Sequence, residues 1–212
     1  MRRLLDRTAT AGFAAGVLAF TVGYLATLAV TVVSERATLV ARNNPEAAGW
    51  LYYNSQLANV ETTGSGDKWV GAFAGQEFNL LTQFLWNDPV PTGQLIAPTE
   101  FFSGEMPAVV YHTIPVAVLF TTGLVFAYRT GVDTPWGAII ACGSITTGTT
   151  VAAALGTTVF AVSVGGLVVG PDPLEGTLMA GLFFPLLTTS LGGVVATELS
   201  ENERLTAVST EQ

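Results

Sequence analysis

The chain has 212 residues, half of them hydrophobic and only 11% charged, and its positive mean hydropathy leaves too few charged groups to solvate a soluble domain around one core. Its 16 carboxylates face 8 basic side chains, which are all Arg except Lys68; so acidic and lysine-poor a balance suits hydration in concentrated salt, where fields are screened within a few ångströms, rather than a cationic partner. One cysteine, Cys142, and one histidine, His112, exclude an intramolecular disulfide and a His/Cys metal cluster.

Residues 9 to 33, ATAGFAAGVLAFTVGYLATLAVTVV, carry no Asp, Glu, Lys, Arg or His and exceed the about 20 residues that a bilayer core needs. They predict the first span. Ala11, Ala15, Ala19, Gly23 and Thr27 place a small residue at every fourth position of it, a pattern that lets helices approach closely. Arg2-Arg3 before an apolar run is a feature of twin-arginine signals. The run is longer than the about 7 to 15 residues of a signal core, and no small-x-small site precedes SERATLVARNN, so an uncleaved anchor is expected.

Residues 34 to 106 alone have soluble character. Asn44-Pro45-Glu46 reads as cap, first-turn proline and acidic first turn, predicting a helix over about 45–59. Ala47, Trp50, Leu51, Leu57 and Ala58 fall on one face of it, with Asn54 among them and Tyr53 beside it. The expectation is an amphipathic helix lying on the bundle or the interface, its Asn54 bonded to nearby backbone. The competing reading is a ligand-facing amide framed by aromatics. TGSGDK predicts a turn between strand-like pieces over 58–63 and 68–73, and EFNLLTQFLW, 77–86, a second short helix closed by Pro89 and Pro91.

A second span is predicted over 107–128, and a third over 136–164, introduced by Asp133-Thr134-Pro135-Trp136 as cap, first-turn proline and interfacial indole. Residues 165–175, with Gly-Pro-Asp-Pro, predict only a turn, and 176–197 a fourth span before a polar tail. Inside the third span Thr146, Thr150 and Thr157 share an arc, with Thr147 and Thr158 on its flank and Ile145, Val151, Leu155 and Val159 opposite. Ser144, Gly148, Ala152 and Gly156 form a stripe of small residues. Because a threonine hydroxyl can bond the carbonyl three or four residues back, the run can cross a membrane as a packing helix.

Arg2, Arg3, Arg7, Arg129 and Arg204 fall on one side of four spans, and residues 165–175 hold no Lys or Arg. The positive-inside rule then places both termini in the cytoplasm. The expected fold is an all-α integral membrane protein: a four-transmembrane-helix bundle with its first span in 1–33 and three more in 107–197. A structured extracellular insertion fills 34–106, and 198–212 is a cytoplasmic tail.

GWLYYNSQL after a first span, the polar insertion, and then YHTIPVAVLFTTGLVFAYRTG together resemble an uncharacterised family of small multi-pass membrane proteins from halophilic archaea. The resemblance implies a cell-membrane location and no particular activity. It also implies a histidine soon after the Tyr-Asn pair, where this chain has Ser55-Gln56.

Catalytic constellations mostly fail. On the predicted spans His112 and Ser144 differ in depth by roughly 9 Å in a core of about 30 Å, too far for base and nucleophile. No Gly-rich phosphate loop with a following Lys exists. Glu100, Glu105 and His112 approach one another in sequence, but Pro107 interrupts the spacing and hydrated carboxylates are expected there. No span holds Asp, Glu, Lys or Arg, which argues against a pump; Pro115 and Pro185 can still free carbonyls. The expected function is therefore non-enzymatic, an interaction, sensing or assembly component displaying its outer domain, with Trp50, Tyr53, Asn54 and His112 as the candidate outer site. No cofactor, metal or nucleic acid is expected, and the partners are the bilayer and a second copy or another membrane protein. The alternative is a transport or channel component with Thr146, Thr150 and Thr157 lining a path. A membrane-embedded enzyme comes third.

Overall fold

The structure, a computed structural model, describes residues 2–34, 45–64, 77–78, 108–164 and 167–210. Four apolar stretches wind into four long helices because a chain with few side-chain charges satisfies its backbone most cheaply within each segment. They are α1 (Arg2–Ser34), α3 (Ala108–Thr130), α4 (Pro135–Val159) and α5. The last is one run made of a turn, Pro173–Glu175, a π-helical stretch, Gly176–Phe183, and an α-helical stretch, Phe184–Thr210. Each of the four is long and apolar enough to cross a membrane. A fifth helix, α2 (Pro45–Asn54), is short.

The helices pack in the ring order α1, α4, α5, α3. Small residues set the closest approaches. A methyl group on Gly16 would strike the Ile145 carbonyl, and one on Gly148 the Phe13 carbonyl, so α1 and α4 meet backbone to backbone. Gly123 and Gly192 do the same for α3 and α5, against Thr189 and Phe120. Along α1 the expected small-residue stripe packs at Ala15, beside Ile145, and at the buried Ala19, Gly23 and Thr27, while Ala11 is exposed and Gly12 and Gly16 supply the close contacts with α4 at that end. Gly131 ends α3 in the left-handed region, φ 65°, and the Thr134 hydroxyl caps α4 by accepting from Gly137 N at 3.2 Å.

The fold is mostly helical rather than all-α. Strands β1 (Val60–Gly64), β2 (Glu77–Phe78), β3 (Val162–Val164) and β4 (Leu167–Pro171) form an antiparallel sheet in the order β2-β1-β4-β3. Two expectations are overturned here. The third span stops at Val159 and the chain turns into β3, and residues 165–175 are not merely a turn, since β4 pairs along all of β1 from Val60↔Pro171 to Gly64↔Leu167. The expected strand over 58–63 is β1. Glu77 and Phe78, expected to open a helix, instead pair with Glu61 and Val60. The strand-like piece over 68–73, the rest of the helix over 77–86, and Glu100 and Glu105 lie outside the described residues.

Helix α2 also differs from its expectation. It ends at Asn54 instead of about residue 59, and Ala48 to Gln56 are buried without a break, so it is enclosed on every side rather than lying amphipathically on a surface. Its C-terminal turn closes through Ala58 N to Tyr53 O at 3.1 Å, with Leu57 at φ 67° where glycine is usual.

Candidate functional site

The densest set of chemically distinctive side chains lies where α2 enters the bundle, at the end that carries the sheet. Trp50, Tyr52 and Tyr53 join Phe20, Phe160, Ala153, Ala180 and the strand residue Val60 in one buried cluster. Successive tyrosines on a helix point about 100° apart, so each needs its own receptacle, and glycines provide them. Tyr52 lies against Gly23 of α1, and Tyr53 lies against Gly156 of α4 and Gly176 of α5. Phe20 meets both rings edge to face, with centroids 5.1 and 5.8 Å away.

The polar ends of these residues hold backbone. Trp50 Nε1 donates to Phe160 O at 2.7 Å, where α4 has run out of helical donors. The Tyr53 hydroxyl donates to Ala153 O. Burial holds both phenols above the ordinary tyrosine range of about 10; Tyr53 is raised further by its neighbour Tyr52, while the Gln56 side chain partly offsets the rise at Tyr52. Both stay protonated wherever the fold is intact near neutral pH.

Asn54 is buried, and its Nδ2 donates to Ala58 O at 3.1 Å, so its amide supports its own turn. Ser55 Oγ bonds Tyr52 O at 2.8 Å, and His112 Nδ1 lies 2.8 Å from Ser55 O. A carbonyl only accepts, so Nδ1 carries the proton. Of the four residues of the candidate outer site, Trp50 and Tyr53 therefore meet in one cluster, Asn54 closes the helix, and His112 fixes the turn that follows it. The next segment is tied in as well. Asp172 caps the start of α5 by accepting from Glu175 N, and Glu175 Oε2 accepts from Asn59 N at 3.2 Å while Asp172 N donates to Asn59 O at 3.0 Å.

The threonine arc of α4 faces protein. Thr146 and Thr157 are buried, and their hydroxyls bond Cys142 O at 3.3 Å and Ala154 O at 2.9 Å. Thr150 Oγ1 reaches Gly181 O of α5 at 2.9 Å, and Thr149 Oγ1 reaches the same atom at 2.7 Å. Pro185 explains the target. It brings no N–H to the carbonyl four residues before it, which is Gly181 O, and hydroxyls of a neighbouring helix replace the lost donor. Thr149 was not singled out from the sequence; counting four residues back from Pro185 would have pointed to Gly181 and hence to a need for donors. In the small-residue stripe, Ser144 Oγ bonds Ala141 O at 2.7 Å, Gly148 meets α1, Ala152 packs on the aromatic cluster and Gly156 receives Tyr53. Ile145, expected opposite the arc with the exposed Val151, Leu155 and Val159, is fully buried against Phe126 and Cys142. Among the described residues no three His, Cys, Asp or Glu side chains come together as metal ligands.

The family of unknown function DUF7978 matches residues 2–200. The chain belongs to that family. The match spans α1 to the C-terminal stretch of α5, so the aromatic cluster, the sheet strands and the threonine contacts all lie within the DUF7978 region. No curated protein and no solved structure matches the chain.

Proposed function

We propose that this DUF7978 member is a non-enzymatic multi-pass protein of the cell membrane. Its bundle is a packed scaffold that holds the sheet end outside the cell for interaction, sensing or assembly with a second copy or another membrane protein. The carrying observation is the pair of hydroxyls, Thr149 and Thr150, on Gly181 O at 2.7 and 2.9 Å. Thr150 of the arc that would line a conduit is instead occupied, with Thr149, in holding α5 to α4, while Thr146 and Thr157 are buried with their hydroxyls on carbonyls of α4. Ser144 and His112 each bond a backbone carbonyl in a different part of the bundle, which does not favour a serine-histidine enzyme. Arg129 and the helix ends bearing Arg2, Arg3, Arg7 and Arg204 lie opposite the sheet, and the positive-inside rule supports cytoplasmic termini. An acidic, lysine-poor composition and the resemblance drawn from GWLYYNSQL support a halophilic archaeal host.

Reconstituted vesicles test the scaffold against the transport alternative. Wild type, Thr146→Val/Thr150→Val/Thr157→Val and Gly148→Leu proteins should all leave tracer ion and solute flux at the level of empty vesicles. Specific wild-type flux that disappears in the triple valine protein would overturn the scaffold reading in favour of a path along α4.

A further inference from the structure

Helix α5 contains eight consecutive π-helical residues, Gly176–Phe183, continuing through Phe184 N to Met179 O. Such stretches are rare, and one extra residue per turn sets the helix before the stretch out of α-helical phase with the helix after it. The phase matters here because the residues before it are committed elsewhere. Glu175 and Asp172 bond both backbone groups of Asn59, and β4 pairs along β1. The residues after it are committed to the bundle through Gly192 against Phe120 and Thr189 against Gly123. Between these anchors the π stretch is held from outside by two hydroxyls on Gly181 O, and Gly176 leaves room for Thr157 and Tyr53.

We propose that Gly176–Phe183 is a register hinge: it can give up its extra residue per turn for α geometry, turning the sheet end against the body of α5. Passing one residue through the hinge rotates one side by about 100° and shifts it by about 1.5 Å. The rotation carries Asp172 and Glu175 away from Asn59. Pull on the sheet and helix phase are thus coupled, and the hinge needs no partner to operate.

Hydrogen–deuterium exchange on the full-length chain in detergent reads this directly. Amides of 176–183 should exchange at least about tenfold faster than those of 186–196 in the same helix, because a stretch that interconverts between π and α registers breaks and remakes its backbone hydrogen bonds even though Gly176, Ala180 and Gly181 are buried. Thr149→Val/Thr150→Val should accelerate 176–183 several-fold further and leave α1 and α3 unchanged. A disulfide between Thr63→Cys and Val168→Cys, which sit opposite each other in β1 and β4, in a Cys142→Ala background should slow 176–183 several-fold, and reduction should restore the rate. Equal exchange in 176–183 and 186–196 would overturn the hinge. So would acceleration spread evenly over all four long helices in the valine pair, or indifference of 176–183 to the disulfide.

Discussion

The Tyr53 hydroxyl reaches Ala153 O only because Gly156 and Gly176 leave its path open. A methyl group on Gly156 would collide with the hydroxyl oxygen, whereas the next atoms, Tyr53 Cζ and Phe160 Cε2, stand 3.3 Å off and need give by only a few tenths of an ångström. Two opposing effects can then be compared. Alanine gains about 1 kcal/mol over glycine in a helix interior, and overpacking a buried site costs about 1 to 3 kcal/mol. Gly156→Ala should therefore destabilise the wild type by a net one kcal/mol or so. Tyr53→Phe should cost about 0.5 to 1.5 kcal/mol for the lost hydrogen bond. Combined, the two should cost less than their sum by about 1 kcal/mol or more, since the phenylalanine removes the atom that clashes. Chemical denaturation of the four proteins in detergent measures the coupling. Simple additivity would mean that Gly156 does not exist for the hydroxyl.

At the scale of elements, the long helices were legible from apolar length, and the start of α4 from Asp133-Thr134-Pro135, because those signals are local. The sheet was not. Strand β3 has three residues and shows no period, and β4, with which it pairs, has its other partner, β1, about a hundred residues away. Helix α2 was legible as a helix but not as a buried one: Tyr52 and Tyr53 take separate receptacles, on Gly23 of α1 and on Gly156 and Gly176, which no single apolar face describes. The π stretch left only Gly181 and Pro185 as traces. The close contact of α4 with α1 was legible as Ser144-x3-Gly148, and it separates two kinds of helix support. Thr146→Val/Thr150→Val/Thr157→Val removes one hydroxyl bond between helices, that of Thr150, worth about 0.6 kcal/mol, together with two bonds within α4, and should lower stability modestly. Thr149 remains on Gly181 O, which limits the loss further. Gly148→Leu drives a side chain into the Phe13 carbonyl and the Val17 amide, where no rotamer escapes backbone, and should exceed the triple variant in cost. Melting curves that rank the triple valine protein below Gly148→Leu would show that hydroxyls, not close approach, hold α4.

Across the whole molecule, the charge asymmetry is in the basic residues: positions 129 and 204 and the arginines of the first turns of α1 lie at the helix ends away from the sheet, whereas residues 165–175 at the sheet end hold no Lys or Arg; carboxylates stand at both ends, with Asp6, Asp133 and Glu198 among the arginines and Asp172 and Glu175 beside the sheet. Short flanks rich in Lys or Arg are retained in the cytoplasm while carboxylates count for little, which is the basis of the proposed orientation. It also makes the parity of spans testable without any assumption about function. Cys142 is fully buried in the contact between α4 and α5, its thiol bonding Thr189 O at 3.4 Å. An impermeant maleimide should leave it unlabelled both in intact cells and in inverted vesicles. In a Cys142→Ser background, Ser65→Cys should label only from outside and Ser209→Cys only in inverted vesicles. An odd number of spans between residues 65 and 209 places them on opposite sides, and α3, α4 and α5 supply three. Labelling of both from the same side would mean that one of those three helices does not cross, and it would remove the outward-facing sheet with it.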